Sequence, residues 1–352
     1  MSNAQSRIAA TSEAQRGAWG RGLVAEAEEV RPGLWAVALP MPGARMPSSF
    51  GYAFLGDEGV HIVDPGWRAE ETVAHWERFL AARGRAVSEI RTLLITHSHP
   101  DHLGAAERLI ERSGARLVMS AAEASVLGSG VHVGSDPEQQ AARLARWGVP
   151  AVLRDELAAM SETERPSEPI AADRLLADRE RIRLGGRELT AHASPGHTGG
   201  HVCFELERDG VILTGDHVLP QISPGIGLGA LPGSSPLLDY LGSLRAMVRF
   251  DAHEVLPGHE FRFRGLAARS EQIAAHHLRR TRAVAALVPE LGDAPVWEYA
   301  ARSPWSRGWD AMSGFLLISG LVQTELHLDA VRSGGAEEWM RGEWASAQPT
   351  HA

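Results

Sequence analysis

The chain contains a single cysteine, Cys203, in 352 residues. Disulfides within the chain and thiolate-cluster metal sites are thereby excluded. Cys203 lies in His201-Val202-Cys203-Phe204-Glu205-Leu206, a strand-like pattern, so its thiol reads as a small core group. Lysine is absent altogether, and all 35 basic residues are arginine. That rules out a Schiff-base lysine and the lysine of a phosphate-binding loop. No apolar run is long enough to span a bilayer. Residues 1–22 are polar and alanine-rich, without the apolar centre of a signal peptide, so a cytoplasmic protein is expected. Met1-Ser2-Asn3-Ala4 has the look of a tag remnant, and 1–22 as a whole reads as that remnant plus a flexible N-terminus. A surplus of positive charge is also missing. The formal net charge of −9 argues against broad nucleic-acid affinity, although a local basic groove stays open.

What the chain does have is a dense group of metal-ligand side chains. Thr96-His97-Ser98-His99-Pro100-Asp101-His102 places three imidazoles and a carboxylate in six consecutive residues. Leu93-Leu94-Ile95 before it reads as a buried strand. Residues 103–110 after it read as an amphipathic helix, with Leu103, Ala106, Leu109 and Ile110 on one face. On extended backbone, His97 and His99 send their rings to the same side. One divalent ion fits between that pair and a second between Asp101 and His102.

The chain is long enough for one large domain with a smaller appendage. Strands are expected at 30–39, 50–55 and 59–63, a helix at 72–83, and a further strand at 115–120. Residues 121–175 change character and read as a helical insertion broken at Pro150, Pro166 and Pro169, either a lid over the site or a surface decoration. Strands resume at 181–184, 188–193, 202–206, 211–214 and 253–256, with a helix at 237–249. The Gly/Pro/Ser-rich loop 220–236 suits a wall beside a site. Beyond 263 the pattern is helical. Two similar halves of strands and helices suggest two sheets packed face to face with helices outside.

Three further fragments each put a ligand-type side chain in a turn after a strand: Gly196-His197-Thr198-Gly199-Gly200-His201, Gly215-Asp216-His217 and Pro257-Gly258-His259. Together with the first motif they complete two coordination spheres. His97, His99 and His197 make a three-imidazole site, and Asp101, His102 and His259 a mixed one. Asp216 can bridge them.

This set resembles the metallo-β-lactamase superfamily, and within it the dinuclear glyoxalase II-like hydrolases, over roughly residues 30–262. The resemblance implies an α+β fold: an αβ/βα four-layer sandwich over 23–262, then a small helical, winged-helix-like domain over 263–352. It also implies that Asp64 stands behind the ligands and orients one of their imidazoles. His201 and His217 read either as groups near substrate or ligands, or as structural histidines. His61, His75, His132, His192, His253, His276, His277, His327 and His351 read as structural. The chain departs from the thiolate-bearing β-lactam hydrolases, since Asp216 stands where their cysteine would be.

Imidazole and carboxylate without thiolate suit two zinc ions, with iron or manganese as alternatives. Two such ions roughly 3.5–4 Å apart would share a water and lower its pKa. Asp101 would orient the resulting hydroxide, and no protein nucleophile is needed. The expectation is a metal-dependent hydrolase of a small acyl substrate, a thioester first and a lactone or other ester next. Two alternatives stand beside it. The layout of 237–244 and 274–282 is similar to relatives that cleave single-stranded RNA, with Arg279, Arg280 and Arg282 as phosphate contacts. A mononuclear iron in the three-imidazole site would instead suit a persulfide dioxygenase. Glyoxalase II-like enzymes grip glutathione with basic side chains in C-terminal helices. The lysines used there are missing here, and neither Arg262 nor Arg264 maps onto them. Trp297, Trp305, Trp309 and Phe315 read as core packing. A membrane partner is not expected, and a homodimer is left open.

Overall fold

The computed structural model describes residues 8–342 except 42, 44–45, 129–136, 161–169, 232 and 306–307. His132, His351, Pro166, Pro169 and the tag-like residues 1–4 lie outside the described residues.

Strand β1 (Ala9–Ala10) and helix α1 (Glu13–Gly20) precede β2 (Glu28–Arg31), β3 (Leu34–Pro40), β4 (Ser48–Gly56) and β5 (Gly59–Val63). Helix α2 (Glu70–Ala81), β6 (Ile90–Leu94), α3 (Pro100–Leu103), α4 (Ala106–Ser113) and β7 (Arg116–Ser120) follow. Then come α5 (Ala121–Gly128), α6 (Pro137–Arg146), α7 (Ala151–Met160) and β8 (Arg174–Leu176). The second half runs β9 (Arg181–Leu184), β10 (Arg187–Ala193), β11 (Val202–Leu206), β12 (Val211–Gly215), α8 (Pro236–Met247), β13 (Glu254–Pro257) and β14 (Phe263–Arg264). Helices α9 (Leu266–Leu291), α10 (Val296–Arg302), α11 (Gly314–Arg332) and α12 (Glu337–Arg341) come last.

The strands form two 7-stranded sheets, ordered β2-β3-β4-β5-β6-β7-β8 and β1-β14-β13-β12-β11-β10-β9. Period-two alternation explains how they stack. Strand β3 turns Leu34, Ala36 and Ala38 toward the other sheet, where Leu189, Phe204 and Leu213 meet them. Its opposite face carries Val37 and Leu39, which pack on Trp76 and Leu80 of α2. The second sheet does the same, with Ile212 and Val255 facing Leu241 and Leu244 of α8 and Ile273 of α9. Both faces of the central strands are covered, so those strands read as nearly continuous apolar runs, whereas β9 at the edge alternates exposed and buried residues. The result is the expected helix–sheet–sheet–helix sandwich. Trp76 is fully buried, and its indole N–H donates to Pro65 O at 2.9 Å, which steadies the turn after β5.

Several local expectations differ from the structure. The helix expected over 103–110 is two helices, broken at Gly104-Ala105. There the Ala105 N–H donates to Gly66 O (2.9 Å), and a Cβ on Gly104 would lie 2.1 Å from Pro100 O. Within the supposed insertion 121–175, β8 extends the first sheet and α5 packs on it, so the inserted part proper is α6–α7. Residues 1–22, read as flexible, include α1 and a strand that pairs Ala9 with Arg264. After Arg264 the described residues form helices and no strand. These helices pack onto the rest of the molecule: Leu144, Trp147 and Val149 share one cluster with Ala300, Leu317 and Leu321. Trp297, Trp305 and Trp309 join that cluster, whereas Phe315 is 45% exposed. Among the described residues no helix is long and apolar enough to cross a membrane.

At the α9–α11 contact His327 is buried, its Nδ1–H donating to Thr281 Oγ1 at 2.9 Å. Burial, with Arg280 and His276 nearby, brings its pKa down to about 3. The unfolded chain takes up that proton near the ordinary value of about 6.5. Stability from the neutral ring is therefore complete above that pH and drains away as pH falls toward the folded value. Urea unfolding between pH 6.5 and 4 should show a shallower acid loss for His327→Gln, by up to about 1.4 kcal/mol per pH unit. Equal pH slopes in variant and parent would contradict this.

Candidate metal centre

The parallel pairs β5–β6 and β12–β13 end at one edge of the sandwich, as does β10, which leads into the loop before β11. Open sheets with parallel strands present their loops for binding at the carboxyl ends of those strands. Here those loops carry Asp64, residues 96–102, His197, Asp216 and His259. Bonds between the sheets hold the edge together. Tyr52 Oη donates to Pro257 O (2.7 Å), Phe50 N–H to Gly258 O (2.7 Å), and Val202 N–H to Thr96 O (3.0 Å).

His97 Nε2 lies 3.1 Å from His99 Nδ1, and His197 Nε2 lies 3.0 Å from the same nitrogen. Three ring nitrogens thus converge on one point. Each ring's other nitrogen is spoken for: His97 Nδ1 by Thr96 Oγ1 (3.0 Å), His99 Nε2 by Leu228 O (3.3 Å) and His197 Nδ1 by Gly225 O (2.7 Å). A carbonyl accepts only from N–H, so for His99 and His197 the inward nitrogen of the neutral ring is a lone pair. The loop supplying those two carbonyls is the 220–236 wall.

A second cluster holds Asp101, His102 and His259. His259 Nε2 is 3.1 Å from Asp101 Oδ2, while its Nδ1–H donates to Ser48 O at 2.9 Å. Asp216 stands between the clusters. Its Oδ1 is 3.4 Å from His102 Nε2, and its Oδ2 is 3.4 Å from His259 Nε2 and 3.7 Å from His197 Nε2. A third grouping, His97, His102 and Asp216, spans the two sites. His102 Nε2, His259 Nε2 and Asp216 Oδ1 are buried without a hydrogen-bond partner among the described residues. Orphaned donors and acceptors of this kind, in an imidazole and carboxylate set, fit divalent cations.

Asp64 organises the second cluster from behind. Its Oδ1 accepts from Thr96 N–H (2.8 Å), and its Oδ2 accepts from Thr96 Oγ1 (2.7 Å) and His102 Nδ1–H (2.9 Å). Its backbone φ of 56° is left-handed, which aspartate tolerates better than most residues. Gly258 makes room: a Cβ there would lie 2.3 Å from Asp216 Oδ1 and 2.7 Å from His102 Cε1. His201 and His217 are buried beside the first cluster. His201 Nδ1 meets Ser194 Oγ at 2.8 Å, and the His217 ring stands edge-on to Tyr240. Among the described residues neither belongs to a group of three converging ligand atoms.

Electrostatics separate the two clusters. Burial, reinforced by neighbouring imidazoles, holds His97 well below its usual range and brings His99 to about 3. Burial also disfavours charge on His259, yet Asp216 and Asp101 outweigh it and raise the ring to about 10. For Asp101 burial would raise the carboxyl, but His102 and His259 bring it down to about 2. In the mixed cluster carboxylates thus stabilise positive charge beside them, while the three-imidazole cluster offers neutral lone pairs.

One residue of this centre was not legible in the sequence. Glu123 of α5 is fully buried and bonds to both histidine-bearing loops. Ser120-Ala121-Ala122-Glu123 looks only like a helix capping box, and the buried carboxylate is visible only in three dimensions. Other expected groups lie apart. Arg280 stacks on Trp305, away from Arg279 and Arg282, which lie three residues apart on the exposed side of α9, Arg282 donating to Met340 O. Arg262 is buried in ion pairs with Glu254 and Glu28, and Arg264 donates to Ala252 O. The Cys203 thiol is buried and raised to about 12, as a core group should be.

Asp64→Asn should weaken divalent-ion binding by about 10–100-fold, because the amide cannot accept all three bonds. Gly258→Ala should weaken it too while leaving the far-ultraviolet dichroism unchanged. Equilibrium competition with a chromophoric chelator reads both, and parent-like affinity in either variant would refute the corresponding role.

Comparison with known proteins agrees with this architecture. The family model described as the metallo-beta-lactamase superfamily matches residues 46–259. A hydroxyacylglutathione hydrolase of Cereibacter sphaeroides is 27% identical over 211 residues, 60% of this chain but only 62% of that protein's length. The Bacillus subtilis protein named "Probable metallo-hydrolase YqjP" is 28% identical over 240 residues, covering 64% of this chain and 70% of its own. A solved metallo-beta-lactamase family protein from Thermus thermophilus superposes with a TM-score of 0.71 at 26% identity, over 88% of this chain and 96% of that one. With the sandwich, the motif order and the converging imidazoles and carboxylates in agreement, the chain belongs to the metallo-β-lactamase superfamily.

Proposed function

We propose that the protein is a dinuclear metal-dependent hydrolase of small acyl compounds, with thioesters first and lactones or other esters behind them. The carrying observation is Asp216, whose two oxygens face ligand-type nitrogens of both clusters. In this reading His97, His99 and His197 hold one ion, Asp101, His102 and His259 hold the other, and Asp216 is shared. Zinc suits such a donor set, and iron or manganese would also be accepted. When bound, the ions supply a water acidic enough to act at neutral pH and a Lewis acid for the acyl carbonyl.

The chain's own groups do the rest. Asp101, held ionised by His102 and His259, would accept a hydrogen bond from the attacking water and orient it. Asp64 fixes the tautomer of His102, and the Gly225 and Leu228 carbonyls fix those of His197 and His99. The likeness to a hydroxyacylglutathione hydrolase supports a thioester as the substrate class. The engagement of Arg280 with Trp305 and of Arg282 with Met340 O supports a small substrate over RNA.

Metal analysis and turnover on one sample test the reading. Purified protein should carry about two divalent ions per chain and hydrolyse a simple acyl thioester. Asp101→Asn should retain most of the fold and lose about 10²–10⁴-fold in kcat/KM. Metal-replete protein that cleaves no thioester, lactone or ester above the chelator-treated background would sink the proposal.

A further inference from the structure

Glu123 is a carboxylate with no exposed surface, and its two oxygens serve different loops. Oε1 accepts from the Ser98 N–H (2.7 Å) and the Ser98 hydroxyl (2.6 Å). Oε2 accepts from the Thr198 hydroxyl (2.8 Å) and the Gly200 N–H (3.1 Å). Ser98 lies between His97 and His99, and Thr198 follows His197. Four donors into one buried carboxylate saturate its lone pairs, which is the condition under which a buried charge is tolerated.

The surroundings are built for this contact. Ser120 caps α5, its hydroxyl accepting from Glu123 N–H (2.9 Å) and donating to Gly200 O (2.6 Å). Gly200 lets the helix start come close, since a Cβ there would lie 2.0 Å from the Glu123 nitrogen. In an ordinary capping box the glutamate would turn back to its own helix N-terminus. Here its carboxylate is spent on the two loops instead.

We infer that Glu123 is a positioning residue that sets the spacing between the His97–His99 turn and the His197 loop, and thereby the grip of the three-imidazole site on its ion. The inference rests on the proposed assignment of those histidines as ligands. The His102–His259 site has its own organiser in Asp64 and does not depend on Glu123. Glutamine is nearly isosteric yet unsuitable. Whichever way its amide is turned, its NH₂ faces a backbone N–H, of Ser98 or of Gly200, that cannot reverse its polarity.

Cobalt(II) titration followed by the ligand-field absorption of the bound ion tests this. The parent should take up two ions in distinguishable steps. In Glu123→Gln the three-imidazole site should weaken by about 10–100-fold while the other keeps its affinity. Thr198→Val, which deletes one hydroxyl donor at constant shape, should weaken the same site by a smaller factor, and it carries the test if Glu123→Gln does not fold. Parent-like affinity at both sites, or equal weakening of both, would overturn the positioning role. A parent that binds no cobalt would instead refute the ligand assignment beneath it.

Discussion

The buried carboxylate of Asp64 is the fixed point from which the rest of the centre is measured. It joins the end of β5 to the turn after β6 through Thr96 and reaches into the mixed cluster through His102. Two other buried carboxylates, Asp101 and Asp216, lie within reach of the same imidazoles. Removing carboxylates from water costs several kcal/mol each unless compensated. Such an arrangement is stable only if its geometry is held rigidly against positive charge, and Asp64 supplies one end of that rigidity. Trp76, bonded to Pro65 O beneath it, anchors the turn to the helix layer.

The sandwich provides what a short motif cannot. Four turns distant in sequence arrive at one sheet edge because parallel pairs in both sheets point their carboxyl ends the same way. Cross-sheet bonds at Tyr52, Phe50 and Val202 then keep the two halves of the centre in register. Catalytic folds of this kind place precision in turns, but the precision comes from packed strands behind them.

Much of this was legible from sequence. The histidine-rich turns stand out because they are contiguous and follow apolar strands, and those strands show because both of their faces are buried. The residues read as candidate ligands do converge in space. What escaped depends on contacts between distant segments. The break at Gly104-Ala105 arises because Gly66 takes a backbone N–H that a continuous helix would use. Strand β8 hides because it is a short edge strand, with Arg174 and Leu175 exposed. Glu123 hides because its local pattern already has a sufficient explanation in helix capping. Phe315 misled because helical spacing does not say which face is covered.

The cluster joining α6–α7 to α10–α11 ties the middle of the chain to its last helices. Trp147 sits at the joint, its indole donating to Glu325 (2.7 Å) and its carbonyl accepting from Trp297 N–H (2.8 Å). An insertion from the middle of the chain and a tail from its end therefore form one body. Grafting either alone onto another catalytic sandwich would strip apolar surface from both. Neither stretch completes its apolar cluster without the other, so the stability of one is tied to that of the other.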